Sequence, residues 1–165
     1  MKKSKNRELE DEFIKMVQHH ERIIYKVSSV YVTEYLLMED LYQEIVCNLW
    51  KAYPKFKNES KVSTWIYRIA LNTCISGMRR ESKRSKDVPL SFSEDLAFES
   101  DNLEENLKEM YQLIHQLKTL ERAIVLLYLE EKSYQEIADI TGISTANVGT
   151  KLKRIREKLK NMSNQ

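Results

Sequence analysis

Apolar side chains recur along most of this chain at intervals of three and four, the spacing that lines one face of an α-helix. Across residues 9–33 the set is Leu9, Phe13, Val17, Ile24, Val27 and Val30. A second set, Leu41, Ile45, Leu49 and Tyr53, predicts a helix from about Met38 to Tyr53. Pro54 ends it, because a proline nitrogen has no hydrogen to give the helical ladder. Residues 55–61 (KFKNESK) read as a polar loop. Ser63 or a nearby hydroxyl can cap a third helix with Ile66, Ile69, Ala70 and Thr73 on one side. That helix runs into the basic stretch Arg79-Arg80-Glu81-Ser82-Lys83-Arg84. Over residues 85–103 the periodicity is lost, and Ser, Asp, Glu and Pro89 mark a linker. From Leu103 it returns through Leu107, Met110, Ile114 and Leu117, followed by an apolar helix around Arg122 to Leu129.

Composition sharpens this picture. The 165 residues include 42% hydrophobic and 32% charged side chains but only three Gly and two Pro, too few for a loop-rich β-protein. The fold expected is all-α: two small helical domains, residues 1–85 and 105–165, joined by a flexible acidic linker at 86–104. Cys47 and Cys74 form no paired motif, and His19, His20 and His115 share no ligand spacing with them, so no metal and no disulfide framework is expected. The longest apolar run, Ala123 to Leu129, is too short to insert into a membrane, and the first residues lack a signal-peptide core. A cytoplasmic setting is the expectation. Net charge is only +2, but it is blocked: residues 1–85 carry +5 (16 basic, 11 acidic), 86–107 carry −6 (1 and 7), and 108–165 carry +3 (10 and 7). Such blocks point to charged partners rather than to a fold.

Residues 132–160 (KSYQEIADITGISTANVGTKLKRIREKLK) concentrate the signals of a helix-turn-helix. Ser133 and Glu136 match a capping box. Ala138, Gly142 and Val148 sit at offsets of 0, +4 and +10: a small residue where helices cross, a glycine for the turn, and a β-branched residue that locks the second helix. Ser144 caps that second helix, and Val148, Leu152, Ile155 and Leu159 line its inner face. Thr145, Asn147, Gly149, Thr150, Lys151 and Arg154 remain outward, where a recognition helix meets base edges and phosphates. Six basic residues against Glu157 alone between 151 and 160 favour phosphate along its length. A plain helical hairpin with a solvated basic face would share the charge, but not the coincidence of cap, turn glycine and locking valine.

Residues 40–80 carry a second pattern: Asp40-Leu41 with Gln43-Glu44, Leu49-Trp50-Lys51, Phe56, and Ser63-Thr64-Trp65-Ile66-Tyr67-Arg68-Ile69-Ala70 with Asn72 and Arg79-Arg80. It resembles region two of the extracytoplasmic-function (group IV) sigma factors of bacterial RNA polymerase. Residues 117–129 with Ser133-Tyr134-Gln135-Glu136-Ile137-Ala138 likewise resemble their region four. The resemblance implies a non-enzymatic promoter-specificity subunit that needs no cofactor. Its partners would be core RNA polymerase (clamp helices of the largest subunit, flap of the second) and promoter DNA. It also allows for an anti-sigma factor, although no residue here identifies one.

Under that resemblance Asp40, Gln43 and Glu44 would grip polymerase, since acids and amides pair with arginines. Phe56, Lys57, Asn58, Lys61, Trp65, Arg68, Asn72, Arg79 and Arg80 would meet the −10 element. Trp65, Arg68 and Asn72 share one helical stripe beside the polar loop, a set suited to an unpaired base, although Trp65 also fits a core position. Ser144, Thr145, Asn147, Thr150, Lys151 and Arg154 would meet the −35 element. The linker acids Asp87, Glu94, Asp95, Glu99, Asp101, Glu104 and Glu105, with Phe92, Leu96 and Phe98, read either as a soluble tether or as a nucleic-acid mimic toward the RNA exit path. Two departures stand out. Lys118-Thr119 occupies a turn where many relatives carry proline, and Gly149 stands where many carry a basic residue. Outside the resemblance, the helix-turn-helix alone would suit a stand-alone transcriptional regulator, and the helices a protein-binding adaptor.

Overall fold

The computed structural model describes residues 2–84 and 105–165, and among them the chain is helical with no strand. The expected tether, with Leu103 and every linker residue named above except Glu105, falls outside the described residues. The helices are α1 (Lys2–His19), α2 (Glu21–Tyr31), α3 (Met38–Ala52), α4 (Val62–Arg84), α5 (Glu105–His115), α6 (Thr119–Leu129), α7 (Tyr134–Thr141) and α8 (Thr145–Ser163).

Several boundaries differ from the sequence reading for local reasons. The first periodic stretch is two helices, broken at His20, whose backbone leaves helical geometry (ψ 17°) while its Nδ1 lies 3.0 Å from the Met16 carbonyl. The apolar face stays in phase through the break, so periodicity alone does not reveal it. Pro54 does end α3, inside a short 3-10 turn at Tyr53–Lys55. Ser63 does not cap α4: the helix starts at Val62, which puts Ser63 in its first turn.

In the N-terminal half, α2, α3 and α4 bury Ile24, Val27, Val30, Leu41, Ile45, Leu49, Ile66 and Ala70 almost completely. Phe13 of α1 joins them against the rings of Trp50 and Tyr53, at 4.9 and 5.3 Å between centroids. The buried hydroxyls of Ser28 and Thr73 are satisfied within their own helices, Ser28 donating to the Ile24 carbonyl and Thr73 to that of Ile69. In the C-terminal half, Ile114, Leu117, Ile124, Leu127, Ile137, Val148, Leu152 and Ile155 form the equivalent core.

The two cores meet. Tyr31 of α2 is wholly buried and donates its hydroxyl to the Thr119 carbonyl at 2.8 Å. Burial pushes that phenol far above its ordinary range. Arg122 of α6 reaches across to the Val30 carbonyl at 3.3 Å and also donates to the carbonyls of His115 and Leu117. Glu130, at the end of α6, accepts from Lys26 at 2.6 Å and from the Tyr67 hydroxyl at 3.3 Å. None of these cross-contacts follows from helical periodicity, which reports one helix face at a time.

Candidate nucleic-acid interface

Two surfaces carry the chemistry expected of a nucleic-acid reader. The first is a cleft of about 720 Å³ where the turn after α3 faces the start of α4. Phe56 stacks on Trp65, centroids 4.5 Å apart and planes 24° apart, and Tyr53 approaches Trp65 at 6.3 Å. Trp65 holds the core position the sequence allowed, at 9% exposed, and it also lines the cleft. Lys55, Lys57 and Arg68 supply cations on the lining, with Ser60 and Thr64 as hydroxyl groups. An aromatic wall beside cations suits a stacked base with its phosphate.

The cleft gathers only part of the expected set. Phe56, Lys57, Trp65 and Arg68 line it; Asn58, Lys61, Asn72, Arg79 and Arg80 do not. Asn58 has φ 55°, a left-handed geometry that asparagine tolerates, and it turns the loop back toward α4. Asn72 is exposed one turn beyond Arg68 on the same stripe, outside the lining. Arg80 instead donates to Glu44 at 2.8 Å. Two residues assigned to different partners thus hold each other, while Asp40, Gln43 and Arg79 stay exposed. Lys55, Glu59, Ser60 and Thr64 were missed, although they flank residues that were named. Asp139 was missed without any signal, because it enters the lining from the other half of the chain.

The second surface is the helix-turn-helix, where nearly every local expectation holds. The Glu136 N–H donates to Ser133 Oγ at 3.1 Å, and the Ser133 N–H donates to Glu136 at 2.8 Å. Those bonds hold the Glu136 carboxyl below its ordinary range. Gly142 ends α7 at φ 78°, and Ser144 Oγ accepts from the Asn147 N–H at 3.2 Å to start α8. Thr145, Asn147, Thr150 and Arg154 are exposed and Lys151 is half-buried. The Thr150 hydroxyl donates to the Ala146 carbonyl, so its lone pairs face outward. At Gly149 the neighbour is Tyr134, whose ring would lie 3.4 Å from an added Cβ. The Lys118-Thr119 turn is tied without proline: Glu121 accepts from the Lys118 N–H at 3.0 Å and from Lys158 of α8 at 3.2 Å.

Comparison with known proteins bears on both surfaces. Residues 16–84 match the family model for sigma-70 region 2, and residues 107–159 match that for sigma-70 region 4. The chain belongs to the extracytoplasmic-function sigma factors. Similar proteins include the ECF RNA polymerase sigma factor SigG of Mycobacterium tuberculosis, 31% identical over 73% of this chain and 40% of that protein. The chain therefore spans about two fifths of the length of that relative. The ECF RNA polymerase sigma-E factor of Escherichia coli K12 is 29% identical over 85% of this chain and 82% of its own. Among solved structures, the sigma factor RpoE in its co-crystal with the anti-sigma factor NepR, from Bartonella quintana, superposes with a TM-score of 0.74. It is 19% identical and covers 95% of this chain and 97% of its own, a likeness of fold. The first family match spans α4 and every lining residue of the cleft except Asp139, which lies with the helix-turn-helix in the second. Among the described residues of this sigma factor no cluster of His, Cys, Asp and Glu could hold a metal, and no helix is long and apolar enough to cross a membrane.

Proposed function

We propose that the chain is a promoter-specificity subunit that binds core RNA polymerase and directs it to a two-part promoter. The observation that carries this reading is the presence, on one family-matched chain, of an aromatic–cationic cleft and a fully capped helix-turn-helix. In this reading residues 1–85 bind polymerase and the −10 element, and residues 105–165 bind the −35 element.

Asp40, Gln43 and Glu44 face the clamp helices of the largest polymerase subunit, and the region-four half meets the flap of the second. Glu44 must first give up Arg80, so polymerase binding exchanges one guanidinium for another and frees Arg80 for phosphate. The cleft receives a flipped base of the opened strand, stacked on the Phe56–Trp65 pair with Arg68 on its phosphate. Capture of that base offsets an unstacking cost of a few kcal/mol, so melting draws on binding energy and needs no nucleotide hydrolysis. Asn72, one turn along the stripe, meets the neighbouring nucleotide. On the other half, Thr145, Asn147, Thr150, Lys151 and Arg154 reach the major groove. The solved relative from Bartonella quintana is complexed with an anti-sigma factor, which makes a similar inhibitor a partner to seek for this chain.

The test is addition of the full chain to bacterial core polymerase, with transcription read from candidate two-part promoters. Promoter-dependent transcripts support the reading, and their absence with a competent core enzyme overturns it. Within it, Asn72→Ala is expected to slow open-complex formation about ten-fold, the effect of about 1.4 kcal/mol. An unchanged rate removes Asn72 from the site.

A further inference from the structure

Stacking on Phe56 and Trp65 holds a base without regard to which base it is. Two polar side chains of the same lining stay uncommitted. The first is Thr64, one of five buried polar residues among those described, at 8% exposed. Of the others, Ser28, Ser29 and Thr73 donate to the carbonyl four residues earlier, and Thr33 accepts from the N–H groups of Tyr35 and Leu36. The Thr64 hydroxyl has no hydrogen-bond partner among the described residues. It stands third in α4, so no preceding helical turn offers it a carbonyl. No described hydroxyl is both sealed from solvent and unpartnered, so this one opens onto the cleft that Thr64 lines. A buried hydroxyl in that state costs stability until a ligand satisfies it.

The second is Glu59, exposed on the loop before α4. Lys57 and Lys61 lie two residues away on either side, yet its carboxylate forms no ion pair or hydrogen bond among the described residues. Lys61 is drawn instead to Glu136, at 3.6 Å. The other acid of the lining is already engaged: the Asp139 carboxylate accepts from Gln135 at 2.9 Å, and its carbonyl from Arg68 at 3.3 Å. A carboxylate beside the cations of a nucleic-acid cleft repels phosphate. It adds affinity only where it meets a donor, because it can only accept.

We infer that Glu59 and Thr64 read the edge of the stacked base and select one carrying an exocyclic amine over thymine. The inference rests on the promoter-reading assignment of the cleft. Cytosine, adenine and guanine each present an amine from which the Glu59 carboxylate accepts. The Thr64 hydroxyl, able to donate or accept, serves the neighbouring ring nitrogen or carbonyl. Thymine offers one N–H between two carbonyl oxygens, and a carboxylate has no proton to give them. Glu59 therefore sets the choice of base, and Thr64 helps hold whichever base enters.

The test uses the full chain with core polymerase and follows the rate of open-complex formation. An abasic nucleotide is walked along the non-template strand of the −10 element, and the position where it slows opening most marks the stacked base. All four bases are then placed there. In wild type the fastest of cytosine, adenine and guanine is expected to exceed thymine about ten-fold, the discrimination of one base-edge contact. Glu59→Gln should bring thymine within about two-fold of that base, since an amide can donate to a carbonyl. Thr64→Val, which keeps the shape and removes the hydroxyl, should slow opening about five-fold on all four, the loss of one hydrogen bond. Thr64→Ser, which keeps the hydroxyl and gives up packing, should recover most of that rate, and so separates the contact from the fold.

Thymine opening as fast as the best amine-bearing base would overturn the inference. So would a base ranking that survives Glu59→Gln, Thr64→Val at the wild-type rate, or an abasic scan without a sensitive position. Absence of transcripts from every promoter would instead overturn the promoter reading, so the two failures are told apart.

Discussion

The recognition helix α8 and the cleft beside α4 both offer cations and polar groups to solvent, but they are held in place by different means. The outer face of α8 depends on short-range devices: Ser133 with Glu136, the left-handed Gly142, and Ser144 on Asn147, all within fifteen residues. Its exposed residues are ready for a ligand without rearrangement. The cleft depends on a stack between Phe56 and Trp65, a left-handed Asn58, and the backing of α2 and α3. It is also shared with Asp139 of the other half. The first surface is complete within one half, whereas the cleft takes part of its lining from the other.

The largest way to break this comparison is Trp65→Ala. Removing a core indole that touches Phe56 and Tyr53 is expected to cost about 3–5 kcal/mol. Urea unfolding should show the loss, and Trp65→Phe should recover part of it. Alanine at the exposed Asn147 should leave the urea midpoint unchanged, since that side chain lies outside the core.

Two glycines of the helix-turn-helix give the next effect, with opposite signs. Gly142→Ala forces a side chain into left-handed geometry and should cost roughly 1–2 kcal/mol, although nothing lies within 4 Å to clash. Gly149→Ala, inside α8, should stabilise by up to about 1 kcal/mol, because Tyr134 is at ordinary contact distance and alanine favours the helix. Thermal melts of the two variants should therefore move in opposite directions.

The smallest effect is a pH dependence centred where the halves join. His115, at the end of α5, is held below its ordinary value of 6.5, first by burial. Its Nδ1 lies 2.7 Å from the Tyr111 carbonyl, while the Arg122 guanidinium nearby further disfavours a second positive charge. The unfolded chain then binds a proton more readily than the folded one. Stability is complete above pH 6.5 and declines as pH falls from there toward the depressed folded value. Glu121 and Glu136 also have depressed values, so they retain their contributions until pH falls below their ordinary 4.5. Urea midpoints between pH 7.5 and 5.5 should slope in wild type and flatten in His115→Gln.

Legibility followed the same division as construction. The capping residues, turn glycine and buried faces of α7 and α8 were readable because each partner lies within about four positions in sequence. The His20 break was misread because the apolar phase persists across it, and the start of α4 because Ser63, a hydroxyl that could cap, lies one residue inside the helix. In the cleft, Trp65 and Arg68 followed from helical spacing and Phe56 and Lys57 from the family resemblance, whereas Asn72 lies outside the lining although it shares the stripe of Trp65 and Arg68. Helical spacing states which residues share a face, and not how far along that face a cavity extends.

By itself the sequence determined the helical class, the two halves and the family, because hydrophobic period and caps are local and recur in fixed order. Tertiary structure alone decided that the halves pack together through Tyr31, Arg122 and Glu130, and that Asp139 of α7 joins the cleft lining. Those contacts join residues about 60 to 105 positions apart. Their formation depends on the summed burial and polar pairing of two surfaces, a quantity no local window contains.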